Sequence, residues 1–182
     1  VGPVIASGIL AHLDITKAKS HGAFWKFAGI SGNPADNVWE KGQKRPWNAD
    51  LKRLMFIFWN SMQYQQTREN NFYGRMVFKP RYNQEWARNY QGLNVQTALA
   101  RADTVAKSTD AYLWYSGCYN AKDVYDVRKS LLSAEQKLKR VEIICGRPGG
   151  GTPMLPPAHI EARSGRFVSS VFLSHLFDVW YE

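Results

Sequence analysis

The chain has 182 residues, of which 45% are hydrophobic and 14% aromatic, so it is neither a disordered nor a low-complexity polymer and is long enough to bury a core. A formal net charge of +9 makes an anionic partner the first expectation, with DNA (structured or single-stranded) and RNA both open. No stretch approaches the roughly 20 apolar residues of a membrane span, so no membrane partner is expected.

The opening "VGPVIASGILAHLDI" predicts a helix begun by Pro3, whose missing N–H would be orphaned in a first turn anyway. Val4, Ile5, Ile9 and Leu13 make its apolar face, and Gly8 leaves room for a second helix. "SHGAFWKFAGIS" predicts a short helix capped by Ser20 and stopped by Gly29, with Phe24, Trp25 and Phe27 as core rings. The Gly-, Pro- and Asn-rich stretch that follows is a loop, after which Asn48 caps a helix with Leu51, Leu54, Met55, Phe58, Trp59 and Met62 in one stripe. Residues 64–107 are polar and ring-rich, with an interruption expected at Pro80 and helix after it. Ser108 or Thr109 caps the next segment, which Gly146 stops, and "RKSLLSAEQKLKR" reads as a solvated amphipathic helix. "RPGGGTPMLPP" is expected to be a linker or exposed loop. The last segment carries a wide apolar stripe from Ile160 through Phe167, Val168, Phe172, Leu176 and Val179 to Trp180, as a central helix would. No strand-like alternation stands out, so the fold class is mainly α.

Little of this supports catalysis within the chain. Cys118 and Cys145 are far apart and build neither a disulfide framework nor a zinc finger, which suits the reducing cytoplasm. His12, His21, His159 and His175 form no metal pattern, and Asp14, Asp36, Glu40 and Asp50 give no pair on one helix face. No catalytic residue, metal ligand or cofactor is therefore assigned. The cationic residues say more. Lys41, Lys44, Arg45, Lys52 and Arg53 surround the loop, and Arg163 and Arg166 stand at the start of the last helix. A Gly-Pro turn running into a helix also leaves backbone N–H groups at Val1, Gly2 and Val4 free to hold a phosphate, as the hairpin of a helix-hairpin-helix does. Tyr73, Tyr82 and Trp86 lie among arginines in the middle segment, where they are either base-stacking platforms or packed rings.

These residues resemble the C-terminal transposase domain of RNA-guided insertion-sequence transposases, which follows an N-terminal RuvC-like domain with acidic metal ligands. Gly2, Pro3, Asp14, Ile15, Phe27, Gly29 and Ile30 fit its first block, with Ser31 where the family has Thr. Lys44, Arg45, Asn48, Leu51 and Lys52 fit its second block, and Ala162 and Arg163 its closing helix. Similar proteins are carried by phages and plasmids. The resemblance implies a helix-hairpin-helix-type core over residues 1–62, a helical, aromatic-rich insertion over 63–155 and a closing core helix over 156–182. It also implies an upstream catalytic domain, and Mg²⁺ only with that domain.

One departure bears on activity. The family's nucleophilic serine sits in a Ser-Ser-Gly-Gly-Lys-type loop, whereas the corresponding "NVWEKGQKRP" keeps Gly42 and Lys44 but has no serine. Ser31 lies at the wrong place in the pattern and is read as a structural serine. The leading expectation is a nucleic-acid-binding domain of a transposase-like mobile-element protein that acts in DNA recombination. The alternatives are part of a strand-transfer or nuclease enzyme completed by an upstream domain, and a non-catalytic helical interaction protein, with a homo-oligomer allowed.

Overall fold

The computed structural model describes residues 2–118, 126, 130–136 and 151–181, and every regular element among them is helical. In chain order these are α1 (Pro3–His12), α2 (His21–Phe27), α3 (Ala49–Tyr64), α4 (Lys79–Tyr90), α5 (Val95–Ala102), α6 (Asp110–Tyr115) and α7 (Pro157–Tyr181). Short 3-10 turns cover Ile15–Lys17 and Pro34–Asn37, and a π-helical segment, Tyr73–Phe78, leads into α4. Val1, Cys145, Gly146 and the two ends of "RKSLLSAEQKLKR", residues 128–129 and 137–140, lie outside the described residues. Among the described residues no helix is long and apolar enough to cross a membrane. The chain divides into two compact units, Val1–Tyr82 with Ala162–Glu182, and Asn83–Glu161. Residues 63–82 fall within the first unit.

In the first unit α1 starts at Pro3 behind Gly2, as expected. Ile9 and Leu13 are buried and Ile5 is half-buried, but Val4 is 80% exposed. The expected apolar face is thus narrower: each helical residue turns about 100°, and the side of α1 that carries Ile5 and Ile9 leaves Val4 outside. Gly8 admits α3, since a Cβ there would stand 2.9 Å from Leu54 Cδ1. Ile5 packs into the cluster around Phe58, while His12 meets Asn48, so α1 and α3 run antiparallel. α2 ends in a Schellman motif: Gly29 has φ +65, its N–H donates to Lys26 O and the Ile30 N–H donates to Trp25 O. Ser20 stands at the N-cap but makes no side-chain cap bond. Phe24 is buried and Trp25 half-buried, its Nε1 donating to Ser170 O at 3.0 Å, whereas Phe27 is exposed. The expectation of three core rings therefore fails for Phe27.

Asn48 caps α3 by accepting from the Asp50 and Leu51 N–H groups, each at 3.0 Å. Leu51, Met55, Phe58 and Met62 are buried as the periodicity predicts, with Leu54 and Trp59 half-buried. Asn71 then joins two helices. Its Nδ2 donates to Met62 O at 3.0 Å, and its Oδ1 accepts from the Gly74 N–H at 2.9 Å. The interruption expected at Pro80 does not occur. The helix instead widens before it, with the Lys79 N–H reaching back five residues to Gly74 O, so the missing Pro80 N–H falls beside an already non-α turn.

In α7, Ser164, Val168, Ser169, Leu173 and Phe177 are buried, but Phe167 and Val179 of the expected stripe are exposed at 40% and 77%. Gly165 lies under the Trp59 indole, and Ser169 Oγ donates to Met55 O, which sets α7 antiparallel to α3.

The second unit is built around Trp114 and Cys118, with Trp86, Leu113 and Met154 against them. Thr109 caps α6 by accepting from the Tyr112 N–H at 3.2 Å. The expected linker is corrected here over its described part. Residues 151–156 form a strap with Leu155 fully buried. Asn89 holds it with two bonds: Nδ2 donates to Leu155 O at 2.9 Å, and Oδ1 accepts from the Leu155 N–H at 2.8 Å. The Met154 N–H donates to Trp114 O and the Gly151 N–H to Gly117 O. A Gly- and Pro-rich segment can make neither helix nor strand, but here the Leu155 backbone is satisfied by a buried amide, and the Met154 and Gly151 N–H groups by carbonyls in and just after α6.

Candidate nucleic-acid interface

The loop from α2 to α3 is organised by two aromatic rings that carry cations. Trp47 lies over Gly29, where a Cβ would stand 2.7 Å from the indole Cγ, so this glycine is required by contact as well as by its positive φ. The Lys52 ammonium sits 4.1 Å from the Trp47 ring centre. Arg45 sits 4.9 Å from the Trp39 ring centre, and the Trp39 Nε1–H donates to Gln43 O at 2.7 Å. Each ring holds its cation in place by a cation–π contact that stabilises by about 0.5–1 kcal/mol at an exposed site. The Asn48 N–H donates to Phe27 O at 2.8 Å and ties the end of the loop back to α2.

The charges crowd one another. Partial burial pulls the Lys52 pKa below the ordinary lysine value, and the nearby positive charges of Arg166 and Arg45 pull it lower still. Three segments, the loop, α3 and α7, thus bring like charges together. Lys41, Lys44 and Arg53 are exposed. Among the described residues no carboxylate lies within ion-pair distance of Lys41, Lys44, Arg45, Lys52 or Arg53, whereas Lys17 and Lys26 are paired with Asp14 and Asp36. An anion placed on this surface relieves the repulsion.

The structure brings some of the predicted residues together and separates others. Arg166 and Arg45 both act on Lys52, and Arg163 is half-buried one turn earlier in α7. Gly2 and Val4 stand at the other end of α1 from His12, which meets Asn48, so the backbone phosphate grip expected there lies about 15 Å away along the helix axis. Val1 lies outside the described residues.

The three rings proposed for stacking are packed. Tyr73 lies edge-on to Phe58 and Phe172, its hydroxyl 3.1 Å from His175 Nδ1, and burial pushes its phenol above the usual range. Tyr82 stacks on Phe78, and Trp86 packs on Trp114 and Tyr90 in the second unit. Sequence reasoning missed Trp39 and Trp47. Trp39 and Trp47 each precede a loop cation by five or six residues, a spacing that gains meaning only once the chain turns at Gly42 and Asn48.

Ser31 and three of the histidines find partners within the fold. Ser31 Oγ donates to Asp36 Oδ2 at 2.8 Å and accepts from the Asn33 N–H at 3.2 Å. Asp36 also pairs with Lys26 at 2.9 Å, and these two partners, Lys26 first, hold its carboxyl below the usual range. A carboxylate so stabilised is a poor base for a serine. His21 meets Asp178, His159 meets Tyr115, and His175 meets Tyr73. Among the described residues no three His, Cys, Asp or Glu side chains are grouped to hold a metal ion. No family model, no curated protein and no solved structure matches this chain.

Proposed function

We propose that the first unit binds the backbone of a nucleic acid, as a domain of a transposase-like mobile-element protein. The observation that carries this reading is the crowding of Arg45, Lys52 and Arg166 with no carboxylate beside the loop cations among the described residues. Like charges brought together repel one another, and phosphates bound beside them offset that repulsion. The start of α1 adds a second phosphate position through its backbone N–H groups. At one nucleotide per 3.4 Å of strand, the roughly 15 Å between the two positions corresponds to about four nucleotides. The residue pattern shared with RNA-guided insertion-sequence transposases supports the mobile-element setting. On that resemblance, acidic, Mg²⁺-dependent chemistry would belong to a separate catalytic domain.

Binding of duplex, branched and single-stranded DNA and of structured RNA, measured across a salt series, tests the proposal. The logarithm of affinity should fall with the logarithm of salt concentration by about 0.9 per duplex phosphate contacted. Salt-independent binding, or none, rules it out. A second reading, a helical interaction module, is favoured by the exposed Val4, Leu10, Phe56 and Ile57. A stable homo-oligomer indifferent to nucleic acid, seen by solution mass, would select it.

A further inference from the structure

Beside the cation cluster, the C-terminal end of α1 and helix α2 border an open cleft of about 400 Å³, whose lining includes His12, Asp14, Lys17, Phe24 and Phe27. A site of that size holds a nucleoside. Phe24 is buried within the core, but Phe27 leaves 42% of its surface exposed.

The polar part of the lining is fixed by hydrogen bonds. Asn48 Oδ1 is used in capping α3, so it is Nδ2 that meets His12 Nδ1, at 3.3 Å. An amide nitrogen only donates; His12 Nδ1 therefore accepts, and the neutral ring carries its proton on Nε2. Asp14 is committed to Thr16 and Lys17, and the Lys17 side chain is 83% exposed. The cleft thus offers an aromatic ring and an imidazole N–H donor, while the Lys17 ammonium is held by Asp14. Asn48 links it to the cation cluster, since its N–H donates to Phe27 O and its carbonyl accepts from the Lys52 N–H.

We infer that this cleft receives a nucleobase turned out of its stack, from a nucleic acid whose backbone lies on Arg45, Lys52 and Arg166. The inference rests on the proposed function and adds the substrate class: a strand with an extrahelical or unpaired nucleotide, rather than uniform duplex. Phe27 stacks the base, and the His12 Nε2–H meets an acceptor on its edge. Extruding a base costs least where it is already unpaired, so bulged or single-stranded sites are preferred.

The test compares a duplex carrying a single-nucleotide 2-aminopurine bulge with the same duplex fully paired, using the whole chain. The expected result is about tenfold tighter binding of the bulged duplex, with quenching of the 2-aminopurine fluorescence, in line with the stabilisation from one base–aromatic stack. Phe27→Leu keeps apolar bulk at this exposed position; it should abolish the preference and the quenching while leaving paired-duplex affinity and its salt slope unchanged. Equal affinities in the wild type, or a preference that survives Phe27→Leu, would overturn the cleft assignment while leaving salt-dependent backbone binding intact. Failure to bind either duplex would overturn the proposed function with it.

Discussion

Gly165 offers a quantitative test of how α7 is seated on α3. A Cβ added at this position would stand 2.6 Å from Trp59 Cε2, against the roughly 3.5–4.0 Å of an ordinary carbon contact, so the ring or α7 must move by about 1 Å. The indole has little freedom to retreat: it lies parallel to Phe78 at 6.3 Å and meets Phe56 at 5.2 Å. Overpacking of this kind costs about 1–3 kcal/mol, while replacing a helical glycine by alanine returns up to about 1 kcal/mol. Gly165→Ala should therefore lose about 1–2 kcal/mol, or roughly 2–8 °C in Tm for a domain of this size. Gly8→Ala is the control. Its Cβ would meet only the end of Leu54, which can rotate away, so propensity dominates and stability should hold or rise. Thermal melts followed by circular dichroism and tryptophan fluorescence read both variants. A Gly165→Ala protein as stable as the wild type would refute the α3–α7 packing described.

Three further outcomes follow from the bonds described. Asn89→Leu leaves the buried N–H and C=O of Leu155 without their amide partner and should cost about 2–5 kcal/mol, with much faster hydrogen exchange at the Leu155 amide; unchanged exchange would contradict the clamp. Asn71→Ala removes the link between Met62 O and the Gly74 N–H and should cost about 1–3 kcal/mol by denaturant melt, with a null effect counting against the junction. Asp36 has its folded pKa lowered by Lys26 and then Ser31, so its stabilising contribution is present above the ordinary value of 3.8 and is lost as pH falls through the lower folded value. The wild-type Tm should accordingly fall more steeply than that of Asp36→Asn below pH 3.8, and parallel curves would refute the pairing.

The sequence made local features legible and left non-local ones hidden. Asn48, Thr109 and Gly29 act within three or four residues of themselves, so their caps and stops can be read directly. Pro80 was misleading because its effect depends on the turn before it, which a π-helical segment had already widened. Residues 151–156 read as a loop because Gly and Pro say only what the backbone cannot form; the partner that orders them is Asn89, far away in the chain. The same limit applies to the interface. The cations of residues 41–53 could be named, but not that Trp39 and Trp47 would hold two of them, nor that the antiparallel packing of α1 on α3 would set Gly2 and Val4 apart from the loop.

The charge cluster is tested most directly by the salt dependence of duplex binding by the wild type and by the Arg45→Ala, Lys52→Ala, Arg166→Ala triple variant. If each cation neutralises one phosphate, the triple variant should lose about 2.7 from the log–log slope and bind far more weakly at low salt. An unchanged slope would contradict the account.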